Sequence, residues 1–116
     1  MRCTALVILT LLTGCSSEPP RSDAIVAKSV LESCLTAWKE GASNDSLQKR
    51  EPPIFVVEDQ WTDQAKLLDF SIADRSEFSG SSIRFDVELV FPSKKETVRY
   101  VVTTSPALTV ARLDSQ

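Results

Sequence analysis

The stretch SSIRFDVELVFPSKKETVRYVVTT, residues 81–104, alternates apolar and polar residues on both sides of a short polar connection. Such alternation is typical of β-strands with one buried and one solvated face, because successive side chains of a strand point to opposite sides. The apolar positions are Ile83, Phe85, Val87 and Leu89 in the first segment, and Val98, Tyr100 and Val102 in the second. The connection PSKK suits a tight turn, so the stretch predicts an antiparallel hairpin.

Two further segments extend this hairpin. KLLDFSIAD, residues 66–74, alternates Leu68, Phe70 and Ile72 with polar residues, and ALTVARL, residues 107–113, places Leu108 and Val110 on one side. Turn-forming residues lie in the connections EFSGSS and Ser105-Pro106. The sequence therefore predicts a four-stranded antiparallel meander. Between residues 43 and 65 it predicts only a helical turn around Leu47, a short apolar run IFVV that is not counted among the four strands, and a turn or a single helical turn that carries Trp61.

One long amphipathic helix precedes the strands. In DAIVAKSVLESCLTAWKE, residues 23–40, the apolar residues recur at helical spacing: Ala27, Val30, Leu31, Cys34, Ala37 and Trp38. Ser22 or Asp23 can cap its start and Gly41 its end. A sheet with one apolar face needs a cover, so we predict an α+β fold in which this helix packs across the concave side of the meander. We expect Trp38 and Trp61 to close opposite ends of the core.

Four segments resemble a group of small bacterial envelope proteins of unknown function: AWKEG, PPIFVVEDQW, AKLLDF and RYVVTTSPALTVAR. The helix-and-meander pattern is similar to the cystatin-like and nuclear-transport-factor-2-like folds. The resemblance covers roughly residues 24–113 and implies a small roll in which a curved sheet wraps one helix. Its motifs are structural, so it implies a fold without implying an activity.

The first residues, MRCTALVILTLLTGCSSEPP, predict an export signal. Arg2 is followed by an uncharged run, residues 4–13, which is too short to cross a hydrocarbon core about 30 Å thick and fits the apolar region of a signal peptide. Leu12-Thr13-Gly14-Cys15 resembles the bacterial lipobox, which implies transfer of diacylglycerol to the Cys15 thiol and cleavage after Gly14. An ordinary secreted protein and an uncleaved anchor are the alternatives.

We therefore divide the chain into a lipoprotein signal peptide, 1–14, a lipidated tether, 15–23, and a single α+β domain, 24–116. The tether is polar and carries two prolines, which favours an extended conformation. The predicted location is the bacterial cell envelope, where acylated Cys15 enters a bilayer and the domain faces the periplasm or the exterior.

The composition argues against nucleic-acid binding and against His-dependent catalysis. The chain has no His and a formal net charge of −3, which becomes more negative when Arg2 is removed with the signal peptide. A negative surface does not favour nucleic acid. Without His there is no Ser-His-Asp or Cys-His arrangement, and the commonest zinc ligand is missing. We expect no catalysis, no cofactor and no metal.

Four groups of residues are candidates for chemistry, and each has a simpler interpretation. Glu58, Asp59 and Asp63 form the densest acidic cluster, but they lack the spacing of a calcium loop and we interpret them as a solvated turn. Asp86 and Glu88 share a strand face with Arg84 and lie within reach of Arg99, which predicts surface ion pairs.

Tyr100 faces the core, whereas Asp69 and Asp86 face outward, so the residues do not predict the Asp–Tyr proton-transfer pocket that some relatives of such rolls contain. Cys34 is interpreted as a small buried apolar residue, since no His is present to activate it.

Two functions remain open from the sequence. The first is a non-catalytic interaction or scaffolding module that holds an unknown envelope protein through its sheet edges or the loops around Trp61. The second is a small-ligand-binding domain with a pocket between helix and sheet, lined by Trp38, Trp61 and Tyr100. An open cavity of roughly 300 Å³ or more with convergent polar groups would favour the second function, whereas a helix that fills the concave side of the sheet would exclude it.

Overall fold

The alternating stretch forms the central hairpin of a sheet in the computed structural model, which describes residues 22–113. Strand β3, Ser82–Phe91, pairs antiparallel with β4, Lys94–Thr103, and places Phe85 opposite Tyr100 on the core side. Strands β2, Asp69–Ser79, and β5, Leu108–Arg112, flank this hairpin as predicted, both antiparallel to their neighbours. The predicted signal peptide, Cys15 and the predicted tether up to residue 21 lie outside the described residues.

The prediction of four strands is wrong, because IFVV forms a fifth. Strand β1, Ile54–Val57, pairs parallel with β5, and the sheet order is β1-β5-β4-β3-β2, so the sheet is mixed. Its two edges, β1 and β2, are linked by the single-turn helix α2, Asp59–Thr62, and the residues that follow it. A parallel partner about fifty residues away leaves no turn signal in the sequence. Local periodicity therefore could not assign β1 to the sheet.

Helix α1, Ala24–Lys39, covers one face of the sheet as predicted. The Asp23 carboxylate accepts hydrogen bonds from the backbone N–H groups of Ile25 and Val26, which confirms it as the N-cap. Gly41, with a φ of 92°, follows the helix at a position that a side chain would strain. A 3₁₀ helix, Asn44–Lys49, then leads to β1 and buries Leu47. Among the described residues, no helix is both long enough and apolar enough to cross a membrane.

The core lies between α1 and the inner face of the sheet, but its ends differ from the prediction. Trp38 and Trp61 stack on each other at the same end, with ring centroids 5.5 Å apart and planes inclined by 8°, so they do not close opposite ends. Leu67 is buried in place of Leu68, which is exposed, since β2 begins only at Asp69. Both differences depend on the path of the chain through α2 and the connection from α2 to β2. The residue pattern does not specify that path.

Candidate functional site

A buried carboxylate lies directly after β1. Glu58 is only 2% exposed, and its side chain accepts a hydrogen bond from the Gln60 backbone N–H at 2.9 Å. It also accepts a short hydrogen bond from the Tyr100 hydroxyl and lies 3.2 Å from Nη1 of Arg112. The interpretation of a solvated turn is therefore wrong for Glu58, although Asp59 and Asp63 beside it are exposed.

Arg112 connects this carboxylate to a second one. Its Nη2 lies 3.1 Å from Oε2 of Glu96, and the Gln60 side-chain amide donates to the other oxygen of Glu96 at 3.1 Å. Two neighbouring carboxylates favour the charged guanidinium and raise the pKa of Arg112, although burial acts in the opposite direction. We call these five residues the polar cluster: Glu58, Gln60, Glu96, Tyr100 and Arg112.

The polar cluster works as a structural anchor for α2. Burial, followed by the negative charge of Glu58, raises the pKa of Tyr100, so the phenol stays protonated and continues to donate. Three donors, the Gln60 N–H, the Tyr100 hydroxyl and the Arg112 guanidinium, occupy the Glu58 carboxylate. Because Trp61 belongs to α2, this anchor also fixes Trp61 against Trp38.

The sequence does contain a signal for this cluster. Arg112 has the same strand parity as Leu108 and Val110, and Glu96 has the same parity as Val98 and Tyr100. An inward-facing charge requires a partner, since burying an unpaired charge is costly. Two opposite charges of inward parity at the same end of neighbouring strands therefore indicate an ion pair, and sequence reasoning missed it.

The three predicted contact residues, Trp38, Trp61 and Tyr100, do not share a surface. Both indoles are almost fully buried: the Trp38 N–H donates to the Ala65 carbonyl and the Trp61 N–H to the Ala42 carbonyl, each at 2.8 Å. A groove of about 530 Å³ runs beside the indoles, and Tyr100 lies apart from it within the core. The stacked pair thus supports the groove wall and presents little aromatic surface.

The outer face of the sheet has a charged part and an apolar part. In the charged part, Arg99 and Asp86 form the predicted ion pair, with Nε to Oδ1 at 2.9 Å. In the apolar part, at the β1 edge, Phe55 is 43% exposed and Val57 is 65% exposed. Their register partners in β5 are Thr109 and Ala111, which carry no charge. We call Phe55 and Val57 the β1 apolar pair.

Cys34 is buried on α1, as predicted. Burial raises the pKa of its thiol to about 12, so little thiolate forms at neutral pH. Within residues 22–113, no group of three or more Cys, Asp or Glu side chains is placed to hold a metal ion.

Comparison with protein-family models, curated proteins and solved structures gives no significant match.

Proposed function

We propose that this protein is a lipid-anchored, non-catalytic interaction module of the bacterial envelope, and that it holds a partner protein at the β1 edge of its sheet. The observation that carries the proposal is the β1 apolar pair, two large apolar side chains exposed next to each other on an edge strand. Adjacent apolar residues that face water are typical of interaction sites when they continue into an uncharged surface.

The neighbouring strands support this choice of surface. Behind Thr109 and Ala111 of β5, the outer face continues to Thr103 and Val101 of β4, again without charge. Edge strands are the usual place for a partner to add an extended segment, since the backbone supplies hydrogen bonds and the side chains supply specificity. A partner strand beside β1 would bury the β1 apolar pair.

A ligand pocket between helix and sheet has less support. The groove of about 530 Å³ beside the indoles is lined by the end of α1, the residues that follow it and the α2 connection, and none of its lining residues belongs to a strand, so it does not lie between helix and sheet. The inner face of the sheet is packed against α1 by a continuous buried core that includes Leu31, Cys34, Tyr100 and Val102. A ligand there would have to displace these side chains, at a cost comparable to that of repacking a core.

Anchoring through Cys15 is the second part of the proposal, supported by the lipobox resemblance of Leu12-Thr13-Gly14-Cys15. A diacylglycerol group and an amide-linked chain would together be enough for stable attachment. We further propose that the fold is a cystatin-like roll extended by the parallel strand β1. The helix packed across four successive antiparallel strands supports that relationship.

The test is crosslinking in intact cells followed by purification of the full-length chain. We expect a specific partner to be recovered with the wild type, lost in a Phe55→Ser/Val57→Ser variant and retained in Leu68→Ser, which removes an exposed apolar residue elsewhere. Equal recovery of that partner with the Phe55→Ser/Val57→Ser variant would contradict the proposed surface. A Cys15→Ser variant that still fractionates with membranes at unchanged mobility would contradict the anchor.

A further inference from the structure

The chain enters the folded domain at one defined end. Ser22 is buried: its N–H donates to the Ser81 carbonyl at 3.0 Å, and its hydroxyl accepts from the Thr104 N–H at 2.9 Å. The next residue, Asp23, donates its N–H to the Thr104 hydroxyl at 3.2 Å. Ser22 and Asp23, which we assigned to the tether, are therefore held by the β2–β3 turn and the β4–β5 loop.

The tether between this point and the proposed anchor is short. Six residues, 16–21, separate Cys15 from Ser22, and a fully extended chain spans at most about 3.6 Å per residue, or about 25 Å in total. The sheet itself is longer than this, because a ten-residue strand such as β3 covers about 33 Å. Acylation of Cys15 would thus keep this end of the domain close to the bilayer.

The surface at this end carries exposed apolar side chains on the helix side, and on the outer face of the sheet the Arg84 guanidinium donates to the Ser79 hydroxyl at 3.2 Å. Ile25 is 83% exposed and Val26 is 45% exposed in the first turn of α1, and Phe78 is half exposed near the β2–β3 turn. The segments that meet here, residues 22–26, 78–83 and 104–107, contain one charged residue, Asp23, which caps α1. We call the surface formed by Ile25, Val26, the β2–β3 turn and the β4–β5 loop the tether end.

The opposite end of the domain has a different character. Trp38, Phe91 and the start of β2 lie there, and charged residues are frequent in its helix end, turns and connections: Lys39, Glu40, Asp59, Asp63, Lys66 and Lys94. Apolar side chains gain by entering the boundary between headgroups and acyl chains, whereas charged ones must stay in water. The tether end is therefore suited to the lipid interface, and the opposite end is suited to water.

We infer that the tether end is a membrane-contacting surface, with Ile25 and Val26 inserted at the lipid interface. This inference rests on the proposed acylation of Cys15 and adds an orientation to it. The strands then stand away from the bilayer, and the β1 apolar pair, on the side of the sheet, remains accessible to a partner. Contact depends on apolar insertion, so a neutral bilayer suffices.

The test uses the purified, acylated full chain in phosphatidylcholine vesicles that carry a nitroxide on the acyl chains. A fluorescent maleimide is attached either at Ser81→Cys, in the β2–β3 turn, or at Leu68→Cys, near the far end; buried Cys34 does not compete. We expect nitroxide quenching to be several-fold stronger at position 81 than at position 68. We also expect Ile25→Ser/Val26→Ser to reduce quenching at position 81, whereas Leu113→Ser, an exposed apolar control, leaves it unchanged.

Mass spectrometry of the N-terminal peptide distinguishes failure of the proposed Cys15 anchor from failure of the proposed orientation. If Cys15 is acylated and the vesicles retain the protein, but quenching is equal at the two positions, the orientation is wrong and the anchor stands. The inference is also overturned if Ile25→Ser/Val26→Ser leaves quenching at position 81 unchanged. Self-association of the chain through the tether end would overturn it as well. A chain without acylation contradicts both the anchor and the orientation.

Discussion

Arg112 and Glu58 form a largely buried ion pair across the end of the sheet, with Nη1 and Oε2 3.2 Å apart and the Arg112 side chain 17% exposed. The pair joins the last residue of β5 to the N-cap residue of α2. It therefore connects elements that are 54 residues apart in the chain and fixes a helix that has only one turn of its own.

Removal of the arginine should destabilise the fold. In Arg112→Met the Glu58 carboxylate stays buried without its countercharge, so we expect a loss of about 3 kcal/mol in the free energy of unfolding. Urea denaturation followed by circular dichroism measures it. The matched control is Arg99→Met, which breaks the exposed pair with Asp86 and should leave the urea midpoint nearly unchanged. Similar midpoints for the two variants would contradict the buried role of Arg112.

The stacked tryptophans should be energetically coupled. We expect the losses in the free energy of unfolding of the single variants Trp38→Leu and Trp61→Leu to sum to more than the loss in the double variant. The coupling should be about 1 kcal/mol, because each indole packs against the other. Thermal and urea unfolding of the wild type, the two single variants and the double variant measures this coupling free energy. Additive losses would show that the two rings contribute independently.

Alkaline pH should destabilise the protein through Cys34. In the folded state, burial raises the pKa of the Cys34 thiol to about 12, compared with an ordinary value of 9.0. Between these values the unfolded chain binds fewer protons than the folded one, so the free energy of unfolding falls by about 1 kcal/mol per pH unit. A Cys34→Ala variant starts less stable but should show a smaller slope between pH 9 and pH 10. Parallel curves would contradict the prediction.

Ser22 should contribute to stability although it lies before the first helix. In Ser22→Ala the Thr104 N–H loses its acceptor in a partly buried position, so we expect a loss of about 1–2 kcal/mol. Hydrogen exchange of the Thr104 amide should accelerate in the same variant. Ser29→Ala, an exposed change within α1, is the control and should be neutral or slightly stabilising. Unchanged exchange at Thr104 would show that the hydroxyl is dispensable.

Local periodicity predicted most of the fold. The alternation in β3 and β4 determined which side chains face the core, and the helical spacing in α1 determined its buried face. A cap at Ser22 or Asp23 and surface ion pairs of Asp86 or Glu88 with Arg99 also followed from neighbours in the chain or from adjacent strands; the structure selects Asp23 as the cap and Asp86 as the partner of Arg99. These features depend on interactions within a few residues or across one hairpin, where a pattern in the sequence carries enough information.

Only the tertiary structure decided the parallel pairing of β1, the stacking of Trp38 on Trp61 and the burial of Glu58. Each of these depends on where the connection through α2 brings residues that are distant in sequence, and α2 is too short to carry a periodic signal. The same is true of the tether end, which forms because Ser22 is held between two loops that the sequence places far apart. The sequence by itself determined α1, the four antiparallel strands and most of their buried faces, since these follow from alternation and helical spacing. Long-range packing determined β1, α2 and the surfaces on which the proposed function depends.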